Sequence, residues 1–145
     1  MASGIYNLFK QYVLDNTTNG RIDWDTDTIK VALVTSSYTP DFDTHNFFDD
    51  VTNEVTGSTG YTAGGATMAS PSITLDTAND RVDVDFTDTS WTSSTITARG
   101  AVIYKSTGTA STSPLFAYLD FSTDQISSNG TFLIQWNASG VLRLA

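Results

Sequence analysis

The chain contains no cysteine, which excludes a disulfide framework and every thiolate metal or redox site. Its stability therefore has to come from packing, strand pairing or association between copies. Positive charge is scarce: seven Lys and Arg stand against sixteen Asp and Glu, a net charge of −9. That balance opposes the phosphate neutralisation behind most nucleic-acid affinity, so no DNA or RNA partner is expected. No apolar run approaches the roughly 20 residues that cross a bilayer, and the N-terminal residues show no basic region followed by an apolar stretch. Neither a membrane segment nor a secretion signal of that kind is expected. Histidine occurs once, as His45, among Asp43, Asn46 and Phe47. A serine hydrolase needs a base beside its nucleophile, and no Gly-x-Ser-x-Gly elbow is present. The many carboxylates fall mostly on turn or alternating positions that face water, which argues against a glycosidase pair. The composition calls for no cofactor and no enzyme.

What is present is a polar, weakly charged, aromatic-rich chain of 145 residues, 39% hydrophobic and 12% aromatic. That is enough to fill one core in one domain spanning residues 1–145. Roughly a quarter of the residues are Ser or Thr, a composition that leans towards β-rich extracellular and virion surfaces.

Ser3 is a candidate N-cap for a helix in which Ile5, Leu8, Phe9, Tyr12 and Val13 recur at three- and four-residue spacing. Asn16 to Gly20 reads as its stop and turn, so residues 1–20 form a helix-and-turn unit. The pattern then predicts strands at Ile29 to Val34, Ser72 to Asp76, Arg81 to Thr87, Thr95 to Lys105, Leu115 to Phe121, Thr131 to Trp136 and Val141 to Leu144. Turn signals separate them at Ala78-Asn79-Asp80, Ser106-Thr107-Gly108, Ser128-Asn129-Gly130 and Asn137 to Gly140. In Val82-Asp83-Val84-Asp85-Phe86, strict alternation sends the apolar residues inward and both aspartates to solvent. Two denser runs, Ala101 to Tyr104 and Leu115 to Leu119, suit strands buried on both faces. Seven or eight short strands with regular turns predict a mainly β fold: an antiparallel two-sheet sandwich of jelly-roll or Greek-key type, with one short N-terminal helix.

Residues 36–70 read as a long irregular loop, of the kind that is functional or ordered by a partner. Its aromatics Phe42, Phe47, Phe48 and Tyr61 are candidate partner contacts, with Ile5, Phe9 and Tyr12 of the helix as a second candidate surface; the bland alternative is that both pack on their own sandwich. Gly57, Gly60, Gly64 and Gly65 precede no helix and suit tight turns better than a phosphate cradle. Asp23, Asp25 and Asp27 alternate as calcium-loop ligands do, but Thr28 and Val34 stand where an EF-hand needs Gly and Glu. A solvated acidic turn is the preferred reading, with no metal expected.

The segments Glu54 to Gly65, Trp91 to Arg99 and Phe132-Leu133-Ile134-Gln135-Trp136, in this order and spacing, resemble the small virion structural proteins of tailed bacteriophages. Each motif is soft by itself; together they extend over nearly the whole chain. The resemblance implies a non-enzymatic particle protein, first a decoration or cement protein that binds the major capsid protein of the head, often as a homotrimer. A tail or fibre component, or a host-glycan-binding adhesin module, is the alternative. A virion location follows, with the capsid surface ahead of the tail.

Overall fold

The computed structural model describes residues 2–15 and 21–145. Its elements in chain order are β1 (Gly4–Ile5), α1 (Asn7–Leu14), β2 (Ile29–Val34), β3 (Ala66–Thr67), β4 (Ser72–Asp76), β5 (Arg81–Asp85), β6 (Thr89–Lys105), β7 (Leu115–Ile134) and β8 (Leu142–Leu144). The strands form two antiparallel sheets, β1-β7-β6-β2-β3 and β4-β5-β8, arranged as a mainly β sandwich with one helix among the described residues.

Strand β2 shows why the larger sheet is central. Its residues are buried on both faces: Ile29, Val31 and Leu33 share one core with Val84 and Leu142 of the smaller sheet and with Phe86 just beyond β5, whereas Ala32 and Val34 lie in a second core with Tyr38, Val102, Tyr104 and Tyr118. The second core is roofed by Phe42, Phe48 and Val51 of the long loop. The molecule is thus layered as small sheet, large sheet and loop, and where all three overlap, as along β2, the middle strand has no solvent side to alternate with.

A bulge adapts β7 to this sandwich. Ile103 pairs with Ala117 and Tyr104 with Leu115, so Phe116 is the extra residue. Phe116 lies in the core between the sheets, its ring 4.6 Å from Phe9 and 5.0 Å from Trp24. These edge-on contacts dock α1 and the Trp24 turn against β7. A helix of eight residues has little stability of its own and depends on such packing.

Several expected boundaries move. Ser3 does not cap the helix: its hydroxyl accepts from the Asp120 N–H, Gly4–Ile5 pairs with β7 as β1, and the N-cap position belongs to Tyr6. Chain pairing with the long β7 edge competes successfully with a capping hydrogen bond. Ile5 is therefore a strand residue, while Phe9 and Tyr12 remain on α1. The expected stop at Asn16 to Gly20 lies outside the described residues.

Ser128-Asn129-Gly130 is not a turn between strands. It lies inside the 20-residue β7, where Ser94 pairs with Gly130 and Ile96 with Ser127. Two residues oppose one, and Asn129, at φ 52°, donates its N–H to Thr95 Oγ1. Turn-forming residues here make a bulge, because the 17-residue β6 continues alongside from Thr89 and holds the ladder together. Strands β5 and β8 are shorter than their apolar patterns, and residues 36–70 contain β3 and a 3-10 turn at Phe48–Asp50. The turns at Ala78 to Asp80, Ser106 to Gly108 and Asn137 to Gly140 lie between strands as expected.

The tyrosines of the two cores give a titration signature. Burial pushes Tyr6, Tyr38, Tyr61 and Tyr118 above the ordinary value of 10.0, and burial pushes Tyr104 up to about 12. A phenol whose pKa is raised by folding binds its proton more tightly in the native state, so its contribution is intact below pH 10 and is lost as pH climbs towards the folded value. Unfolding free energy is expected to hold steady from neutral pH to about 10, then fall steeply towards 12, with a shallower slope in Tyr104→Phe. Urea titrations at successive pH values test this, and a profile flat through pH 12 would contradict the buried phenols.

Candidate functional site

The long loop was the leading candidate surface, and the structure folds it onto the large sheet. The Tyr6 and Tyr38 hydroxyls lie 2.8 Å apart, and Tyr38 Oη is 3.1 Å from Nδ1 of His45. That nitrogen also lies 3.3 Å from the Asp41 backbone nitrogen, whose N–H points to it. Asp41 accepts from the N–H groups of Asp43 and Thr44, and its carboxyl is held low by hydrogen bonds led by the Thr44 hydroxyl. His45 thereby ties the loop to a buried tyrosine pair. This arrangement provides no serine nucleophile for it to activate.

The loop aromatics are half-buried, with Phe42 and Phe48 packed against the second core and Tyr61 against the first. Phe42 lies 5.3 Å from Tyr6 and covers Gly4, where a Cβ would come within 2.8 Å of its ring. Phe48 stacks on Tyr104 with centroids 4.0 Å apart and planes 14° from parallel. Phe47 forms an isolated bridge with Pro114, while Asp50 Oδ2 accepts the N–H groups of Asn46 and Phe47 to close the 3-10 turn. Apolar area that a partner would otherwise cover is thus largely covered by the chain itself.

The Glu54 to Gly65 segment is a clamp. The Tyr61 hydroxyl accepts the Leu33 N–H at 2.9 Å and donates to Glu54 Oε1 at 2.7 Å, and the same carboxylate oxygen accepts the Gly64 N–H at 2.6 Å. Tyr104 donates to the Gly64 carbonyl at 2.7 Å. Burial first, then the bond to Glu54, raises the Tyr61 pKa. Glu54 Oε1, the Tyr61 hydroxyl and the Gly64 peptide bond one another, which fastens the loop to β2.

In the acidic turn Asp27 is tied down while Asp23 and Asp25 are exposed. Asp27 Oδ2 lies 2.9 Å from Lys105 Nζ and accepts the Asp23 N–H at 2.8 Å. Asp23 and Asp25 share a side-chain hydrogen bond that lowers the first carboxyl and raises the second. No group of three or more His, Cys, Asp or Glu able to hold a metal occurs among the described residues.

Two surfaces that periodicity did not single out are exposed instead. On the outer part of β7, Ile126 is 71% and Leu133 is 54% exposed, beside a shallow groove of about 530 Å³ that also includes Phe121 and Phe132. The signal was present in Phe132-Leu133-Ile134: consecutive apolar residues on a strand buried on one side leave the middle one outside. On the small sheet, Ile73 and Leu75 of β4 and Leu144 of β8 are about half-exposed or more, and Leu144 shares a groove with Val13 and Leu14 at the end of α1. No helix is long and apolar enough to cross a membrane among the described residues. Comparison with protein-family models, with curated proteins and with solved structures found no match.

Proposed function

We propose that the chain is a non-catalytic structural protein of a tailed-bacteriophage particle, first a decoration protein that binds the major capsid protein of the assembled head. The observation that carries this reading is the exposed pair Ile126 and Leu133 on a paired strand. An exposed apolar strip on rigid β-structure suits a large preformed partner surface better than a small substrate. The order of the Glu54, Trp91 and Phe132 motifs points to the same class. A decoration protein stabilises by mass action, since binding the lattice but not its free subunits adds binding free energy to the assembled state. A tail or fibre position is the second reading.

The loop aromatics are poor test positions, because replacing Phe48 would remove its stack on Tyr104 and unsettle the fold. Ile126→Asp combined with Leu133→Asp avoids that, both side chains being more than half exposed. In co-sedimentation with undecorated heads of the source particle, the wild-type chain should saturate the lattice, and the double variant should bind at least about tenfold more weakly. Circular dichroism should be unchanged. Wild-type chain that co-sediments with tails alone moves the assignment to the second reading; chain that binds neither particle refutes both.

A further inference from the structure

Strand β4 is an edge of the small sheet, paired only with β5. Ser72 to Leu75 are all exposed. Native edges are usually guarded by lysine, proline, a bulge or a covering element, and Ser72-Ile73-Thr74-Leu75-Asp76 contains no lysine or proline and pairs with β5 without a register shift. Its side chains also divide cleanly. Ile73, Val84 and Leu142 form one cross-strand row and Leu75, Val82 and Leu144 the next, both on the face that enters the core. Val84 and Leu142 are buried, but Ile73 is 50%, Leu75 70% and Leu144 49% exposed, so the apolar face overhangs the large sheet. The opposite face is polar, with Asp83 between Arg81 at 3.0 Å and Arg143 at 2.8 Å.

We infer that β4 pairs antiparallel with β4 of a second copy of this chain across a two-fold axis. Centred on Thr74, the register is self-complementary: Thr74 faces Thr74 of the second copy, Ile73 faces its Leu75, and Ser72 faces its Asp76. Each apolar row then runs through six strands, Leu142-Val84-Ile73 continuing into Leu75-Val82-Leu144 of the other copy. Such an interface is isologous and closes after two subunits. Charge permits it in a chain of net charge −9: the only charge on the seam, Asp76, is compensated by Arg81 at 3.1 Å, and the register sets it opposite a serine instead of a second aspartate. This pairing is independent of the particle assignment above.

The absence of cysteine makes the test direct. Under mild oxidation Thr74→Cys should cross-link to itself at high yield, whereas Ile73→Cys and Leu75→Cys should cross-link efficiently only when mixed with each other. Sedimentation of the wild type at micromolar concentration should give twice the 15.6 kDa chain mass. Leu75→Lys, at a position open to solvent in the single chain, should weaken association at least about tenfold without changing the circular dichroism spectrum. A single-chain mass throughout the micromolar range overturns the pairing. So does a three-chain mass, or an associated protein in which Thr74→Cys does not cross-link.

Discussion

Gly65→Ala should destabilise the protein by about 3 to 5 kcal/mol, combining a left-handed backbone penalty with a backbone clash. Gly65 sits at φ 73°, and a Cβ built on it would lie 1.9 Å from the Val31 carbonyl oxygen and 2.6 Å from the Ala32 Cα. Both contacts are main-chain atoms of the central strand, so no rotamer change relieves them. Relief requires the loop to lift, which breaks the pairing of Ala66 with Val31 and pulls at the Gly64 bonds to Glu54 and Tyr104. Gly57→Ala in the same loop is the control: its φ is 66°, but nothing lies within 4 Å of the added carbon. That variant should lose only about 1 kcal/mol, the conformational term by itself. Urea unfolding of the pair separates the two contributions, and equal losses would mean that the loop does not press on β2 as described.

Phe116→Ala is expected to cost about 3 to 5 kcal/mol, the range for an aromatic deleted from a packed core. Phe116 is 2% exposed and touches both Phe9 and Trp24, so its loss leaves a cavity where α1 docks. Trp24 fluorescence should shift to longer wavelength before the main transition, because Phe116 packs against both the helix and the Trp24 turn. A loss below about 1.5 kcal/mol, with Trp24 unchanged, would show that the helix is held by other contacts.

The strands that could be read from the chain are those whose surroundings are simple. Arg81–Asp85 alternates strictly and forms a hairpin with Ser72–Asp76, and Ile29–Val34 is a dense apolar run, so local pattern is a sufficient guide to both even though the latter pairs with residues 100–105. Ser128 to Gly130 misleads because bulge and turn use the same residues; only the strand running alongside decides between them. Ser3 misleads for a related reason, since its hydroxyl finds the Asp120 N–H, which is 117 residues away in sequence.

The loop marks the deeper limit. Its aromatic content was visible, but whether Phe42 and Phe48 face a partner or the chain's own sheet depends on what Tyr6 and Tyr104 present to them, and those residues arrive from β1's end and from β6. The exposed edge of the small sheet was equally out of reach. Leu75 and Val84 sit on the same face of one small sheet, identical in pattern, yet one is 70% exposed and the other 4%, because the overhang of one sheet beyond the other is a property of their packing.

By itself, then, the sequence determined the β-rich class, the absence of thiol chemistry, the acidic surface and most of the turns, all of which follow from residue type and short-range periodicity. The tertiary structure decided which apolar residues are covered, how the predicted segments Leu115 to Phe121 and Thr131 to Trp136 join in one long bulged strand while Thr95 to Lys105 extends back to Thr89, and which edge stays open. Burial and pairing depend on groups distant in sequence, and a two-residue period records only that a side chain alternates, never what stands opposite it.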